Sequence, residues 1–100
     1  QAGQRRVVKL AWTRLALNDR QAIRSYIAQD NPIAALALDE LFTEKASRLA
    51  DHPGLGRPGR VSSTRELVVH QHYLMIYDLV NDQVRILRVL HTARQWPSAD

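Results

Sequence analysis

Val7 to Trp12 is a short apolar run with β-branched residues, broken only by Lys9, and this pattern predicts a first strand. Thr13 follows with a side-chain oxygen suited to capping a helix. From Arg14 to Gln29, Ala16, Ile23, Tyr26 and Ile27 recur at helical spacing and define one apolar face, with Arg20 at its edge, where the stem packs and the head reaches water. Asp30-Asn31-Pro32 breaks this helix and starts another, because Pro32 suits the first helical position and Asn31 its cap. The second helix runs to about Asp51 on a core stripe of Ala34, Ala35, Leu38, Leu41, Phe42 and Leu49, ahead of the breaker His52-Pro53-Gly54. Leu36 lies nearly opposite Leu38, among Glu40, Thr43 and Ser47, so this leucine faces away from the core.

Pro53 to Ser63 holds three glycines and two prolines in eleven residues, a loop composition that also carries Arg57 and Arg60. Alternation then predicts strands over Thr64 to His70, Tyr73 to Val80 and Val84 to His91, joined at Gln71-His72 and at Asn81-Asp82-Gln83, short enough for an antiparallel meander. The expected architecture is α+β: a strand, a two-helix hairpin, then three antiparallel strands, with the helices on one face of a small sheet and the other face open. Tyr73 and Tyr77 read as core. The 100 residues form one domain, with residues 1–6 read as a flexible, trimmed or engineered end and residues 92–100 as a short tail carrying Arg94 and Trp96.

Composition narrows the function classes. Apolar residues at 45% and charged residues at 24% are globular values, and the absence of cysteine excludes disulfides, thiolate metal sites and a cysteine nucleophile. No apolar stretch approaches the ~20 residues of a membrane helix, and Lys9 and Arg14 interrupt the patch after Arg5-Arg6 that would otherwise imitate an export signal. Cytoplasm is the expected compartment. The formal charge of +4 rests on twelve Arg and two Lys, a bias that favours bidentate contact with phosphate or carboxylate. There is no phosphate-binding glycine loop, zinc helix or nucleophile elbow, and the pair His70 and His72 is too small a set for a metal. The basic cluster Arg57, Arg60, Arg65, Arg85, Arg88, His91 and Arg94 remains as candidate chemistry.

Several stretches carry a resemblance. They are Tyr26-Ile27-Ala28-Gln29-Asp30-Asn31-Pro32, the loop Leu55-Gly56-Arg57-Pro58-Gly59-Arg60, the strand Arg65-Glu66-Leu67-Val68-Val69, and Leu90-His91-Thr92-Ala93-Arg94-Gln95-Trp96-Pro97. With the order of elements, they make the chain resemble the RelE/ParE superfamily of bacterial toxins over about residues 7 to 97, nearest the RelE/StbE plasmid-stabilisation branch. The resemblance implies a cytoplasmic type II toxin whose acidic, partly disordered antitoxin wraps it in a hetero-oligomer. RelE-like members of that family are mRNA interferases, cutting mRNA in the ribosomal A site without metal or cofactor. ParE-like members inhibit DNA gyrase by binding.

On the RelE-like reading, which leads here, the partners are ribosome and mRNA. Arg65 matches the family's strand-opening arginine and His91 the strand end where RNA-cleaving relatives place a histidine or arginine. Metal-free cleavage needs a base, an acid and cations on the phosphate, so His91 and Arg65 are the catalytic candidates, and Arg57, Arg60, Arg85, Arg88 and Arg94 the RNA- or phosphate-binding ones. Ile33 and Leu36 are the candidate antitoxin anchors. In a meander the strands bearing Arg65 and His91 run parallel to each other on either side of the middle strand. That sets the two residues toward opposite ends unless register or twist brings them together, and the sequence leaves open whether they share a site. It also leaves the gyrase-binding alternative open, because the Leu-His ending occurs among ParE members, and the lysine pair and C-terminal tyrosine of some RelE members are missing.

Overall fold

Thr13 and Asn31 decide where the helices begin. In the computed structural model, which describes residues 8–93 and Trp96, the Thr13 side chain accepts the Ala16 amide and the Asn31 side chain accepts the Ala34 amide. These caps start α1 (Arg14–Ala28) and α2 (Pro32–Asp51), the latter with Pro32 in its first turn. The Thr13 hydroxyl also lies 2.9 Å from the Ile86 carbonyl oxygen, so the first cap is tied to the sheet.

The strands are β1 (Lys9–Trp12), β2 (Arg57–Pro58), β3 (Arg65–His70), β4 (Tyr73–Val80) and β5 (Gln83–His91). They form one sheet in the order β1-β5-β4-β3-β2, with β1 parallel to β5 and the other pairs antiparallel. The predicted meander is present. The 53–63 segment, expected to be all loop, contributes the two-residue β2, because Arg57 and Pro58 pair with Glu66 and Arg65. The β4–β5 connection is a two-residue turn, in which Asn81 and Asp82 both adopt positive φ, 52° and 61°. That backbone matches the twist of a tight hairpin, and Asn and Asp tolerate it better than most residues.

The helices cover one sheet face, and the main core lies there: Leu38, Phe42, Ala46 and Leu49 of α2 meet Val69, Tyr73, Met75, Tyr77, Val84, Ile86 and Val89. Phe42 and Tyr73 meet edge to face with ring centres 6.0 Å apart. Two side chains depart from the expected stripes: Ala34 is exposed at the start of α2, and Tyr26 is 72% exposed on α1. Arg20 packs across Trp12 at 4.4 Å and bonds Asp39 and Thr43, joining the two helices.

The opposite face, expected to be open, is covered. Leu74, Ile76 and Leu90 are buried there with Leu87 and Trp96 against them. The pairing of β4 with β5 slips by one residue between Ile76 and Tyr77, since Ile76 pairs with Arg88 but Tyr77 with Ile86, and Leu87 is the extra residue of this bulge. Two backbone-side anchors hold the chain beyond β5: the Thr92 amide donates to the His72 carbonyl at 2.8 Å, and the Arg60 guanidinium lies 3.4 Å from the Trp96 carbonyl.

Tyr77 joins the core to the loop after α2. Its buried hydroxyl donates to the Pro53 carbonyl at 2.7 Å and accepts the Gly56 amide at 2.9 Å. Burial raises the phenol's pKa above its usual value, so it stays protonated and able to donate. Gly56 must be glycine, because a Cβ there would sit 2.7 Å from that hydroxyl and 2.8 Å from the Glu66 carbonyl. Tyr77→Phe strands both loop groups, and the expected cost is about 1–3 kcal/mol in urea unfolding, with faster amide exchange at Gly56.

Candidate functional site

The antiparallel register separates the two proposed catalytic residues. Arg65 pairs with Tyr77 and His91 with Tyr73, four positions apart on the intervening β4, so they stand about 13 Å apart along the strand direction. Neither register nor twist brings them into one site. Arg65 instead donates to the Gly56 carbonyl at 2.6 Å, beside the Tyr77 hydroxyl, and so helps fix the loop after α2.

Most of the other candidate phosphate-binding arginines are held by carboxylates. Arg85 makes a two-pronged pair with Asp78 at 2.9 and 2.6 Å, which raises its pKa further above the usual arginine value. Arg88 makes a second such pair with Asp19 of α1 at 2.8 and 3.0 Å, and its pKa is raised by that hydrogen bonding. Asp19 also accepts the Val89 amide at 3.0 Å. The physical reason is local: β1 stops opposite Ile86, so the outer edge of β5 past that point has no strand beside it, and α1 supplies an acceptor instead. Arg57 lies 3.3 Å from the buried Glu66, which also accepts the Arg60 amide. Arg57 keeps an exposed side chain, while Arg85, itself half-exposed, and Arg88 are paired with carboxylates of the fold. Arg94 lies outside the described residues.

His91 does lie in a groove. Asp19, Ala22, Ile23 and Tyr26 of α1 face Tyr73, Val89 and His91 across a space of about 370 Å³. The sequence placed Tyr26 in the core, yet Asp19, Ala22, Ile23 and Tyr26 follow helical spacing, and that stripe was the available signal for a groove wall. Among the described residues no lysine or arginine lines the groove. The His91 ring stacks on His72 at 5.5 Å, and its edge contact with Tyr73 is 5.3 Å. His91 Nδ1 accepts the Ala93 amide at 3.0 Å, so in the neutral ring the proton sits on Nε2. Burial, and then the proximity of Tyr26, raise the Tyr73 pKa, so this phenol is a neutral donor at physiological pH. Among the described residues no group of three or more acidic, histidine or cysteine side chains is arranged to hold a metal.

Ile33 and Leu36 project from the start of α2 and are 80% and 60% exposed. Leu15 and Leu17 add further exposed apolar surface on α1.

The profile of the ParE toxin of type II toxin-antitoxin systems, parDE, matches residues 10–96. The chain belongs to this toxin family. It is 40% identical over 90 residues to the Y4kP protein of Sinorhizobium fredii, whose name marks it as a candidate toxin, covering 89% of this chain and 93% of that one. It is 38% identical over 88 residues to Toxin RelE2 of Caulobacter vibrioides, covering 88% and 99%. Among solved structures, the chromosomal ParDE toxin-antitoxin system of P. aeruginosa superposes with a TM-score of 0.75 at 27% identity, over 85% of this chain and 96% of that one. The RelBE2 complex of Mycobacterium tuberculosis, with TM-score 0.62 and 23% identity over 86% and 99%, shares the fold. This ParE-family protein is thus a type II toxin with two helices and a five-stranded mixed sheet. No helix among its described residues is long and apolar enough to cross a membrane.

The contrast between the two ends of the sheet is measurable. Arg65→Ala is expected to cost roughly 1–3 kcal/mol in urea unfolding, because the Gly56 carbonyl loses a charged donor. His91→Asn keeps an acceptor near Nδ1 on an exposed residue and is expected to shift stability by less than about 0.5 kcal/mol.

Proposed function

We propose that this toxin arrests growth by docking on DNA gyrase in the ParE manner, without cleaving RNA. The observation that carries the reading is the disposition of cations. A metal-free nuclease needs positive charge at the phosphate beside its acid and base. Here Arg85 and Arg88 are held by Asp78 and Asp19, Arg65 is bonded to a loop carbonyl far from His91, and among the described residues no lysine or arginine lines the groove around His91. Family membership adds support, since the matching profile is that of ParE toxins. A docking toxin needs surface alone, and the exposed apolar side chains on both helices provide it.

RNA cleavage in the RelE manner is the second reading, favoured by His91, whose Nε2 is free of the Ala93 bond at the mouth of an aromatic groove, and by the likeness to a relative named RelE2. Under either reading a cognate antitoxin neutralises the toxin. We assign Ile33 and Leu36 to that contact: two exposed aliphatic side chains one helical turn apart suit leucine-type anchors of an ordering segment.

Induction of the toxin in cells with separate readouts of protein synthesis and plasmid supercoiling tests the proposal. Supercoiling is expected to fall and the SOS response to begin while translation continues. Prompt translational arrest with cut messages and normal supercoiling would contradict it. For the antitoxin contact, Leu36→Asp is expected to weaken binding of the cognate antitoxin by about 30-fold or more in calorimetry, the size of a loss of about 2 kcal/mol at an anchor residue. An unchanged affinity would remove Leu36 from the interface.

A further inference from the structure

The hairpin of β2 and β3 carries three arginines, Arg57, Arg60 and Arg65, against one acid, Glu66. Glu66 is buried and uses both oxygens inside the hairpin, accepting Arg57 at 3.3 Å and the Arg60 amide at 3.3 Å. Arg57 gives one nitrogen to this pair and keeps a side chain that is 62% exposed. Arg65 donates to the Gly56 carbonyl at 2.6 Å and the Arg60 guanidinium meets the Trp96 carbonyl at 3.4 Å. Both acceptors are neutral, so neither charge is cancelled. The hairpin therefore holds a surplus of positive charge at the edge of the sheet, where β2 is the outermost strand.

The tip of this hairpin is fixed by its own bonds. The Gly59 amide donates to the Thr64 carbonyl at 2.8 Å, and the amide and hydroxyl of Thr64 both donate to the Val61 carbonyl, at 3.1 and 2.6 Å. Ser63 is held at a φ of 69°, in the left-handed region that glycine occupies without steric cost. Strain of this kind gathers at turns that clamp a ligand. Ser62 and Ser63 are exposed, and among the described residues the amides of Val61, Ser62 and Ser63 and the two serine hydroxyls have no acceptor. The tip thus offers neutral donors beside two exposed guanidinium groups, with its one acid buried. A phosphodiester, with its charge and several acceptor oxygens, satisfies both kinds of group. A row of phosphates does so for both arginines at once.

We propose that the β2–β3 hairpin grips the phosphodiester backbone of duplex DNA, with Arg57 and Arg60 on phosphates and the Ser62–Ser63 turn donating to their oxygens, so that the toxin meets gyrase on its DNA. The choice of DNA rests on the gyrase reading above; the phosphate contact rests on the hairpin itself.

The test is fluorescence anisotropy of a labelled duplex of about 20 base pairs, titrated with the full chain between about 50 and 200 mM salt. Binding is expected to weaken steeply with salt, and Arg57→Gln with Arg60→Gln is expected to flatten the logarithmic slope by about 0.9 for each arginine removed. Lys9→Gln with Arg14→Gln removes as much charge on and just after β1, the opposite edge of the sheet, and is expected to change the slope by less than half as much. Ser63→Asp puts a carboxylate at the phosphate contact while leaving the Glu66 pair intact, and Asp tolerates the left-handed backbone. It is expected to weaken binding about tenfold or more with unchanged far-ultraviolet circular dichroism, which keeps the test decisive if the arginine variant folds poorly. No binding at 50 mM salt, an equal effect of the Lys9 and Arg14 changes, full binding by Ser63→Asp, or tighter binding of single-stranded RNA of the same length would each overturn the proposal. Gyrase is absent from this measurement, so failure here leaves the target standing, whereas translational arrest on induction overturns the target alone.

Discussion

The carboxylate of Asp19 is the contact on which the arrangement of this toxin turns. It accepts two bonds from Arg88 and one from the Val89 amide, at the point where β1 has ended and β5 continues alone. An exposed strand edge presents unpaired amides that invite another chain. By meeting that edge, Asp19 sets α1 along β5 and so shapes the groove whose far wall is Tyr73 and His91. The Asp19 and Arg88 side chains are only 14% and 23% exposed, which places the pair where breaking it leaves a poorly hydrated charge.

The same contact changes what the positive charge of this chain means. Twelve arginines over two lysines suggested an anionic partner, and each arginine read alone was a reasonable phosphate ligand. Folding brings five of those in the described residues to acids, with Arg20 and Arg24 on Asp39, Arg57 on Glu66, Arg85 on Asp78 and Arg88 on Asp19. The guanidinium fork that suits phosphate suits carboxylate equally well. Part of the basic cluster is therefore engaged by acids within the fold, and the helices add exposed apolar surface at Leu15, Leu17, Ile33 and Leu36.

Local features carried most of the architecture. The caps Thr13 and Asn31, Pro32 in a first turn, and two tight connections between alternating strands each act over a few residues, and both helices and the meander follow from them. The missing parts depend on contacts distant in sequence. Arg57-Pro58 becomes a strand only because Glu66 and Arg65 are there to pair with it, inside a segment whose glycines and prolines point to loop. The bulge at Leu87 interrupts an alternation that left both faces of β5 ambiguous, and the cover provided by Trp96 was invisible in a short tail. For the site, His91 was legible as a strand-end histidine, whereas its groove was hidden because Tyr26 at helical spacing looks like core. The opposed positions of Arg65 and His91 followed from strand direction, and the register fixed them.

If Asp19 and Arg88 form the structural clamp described, their substitutions must be coupled. A double-mutant cycle of Asp19→Asn and Arg88→Gln, read by urea unfolding, tests this most directly. Each single variant is expected to lose about 1–3 kcal/mol, with the double variant losing less than the sum by about 1 kcal/mol or more. Additive losses, or an Arg88→Gln protein as stable as the parent, would mean that Arg88 is free to meet a phosphate and would contradict the account.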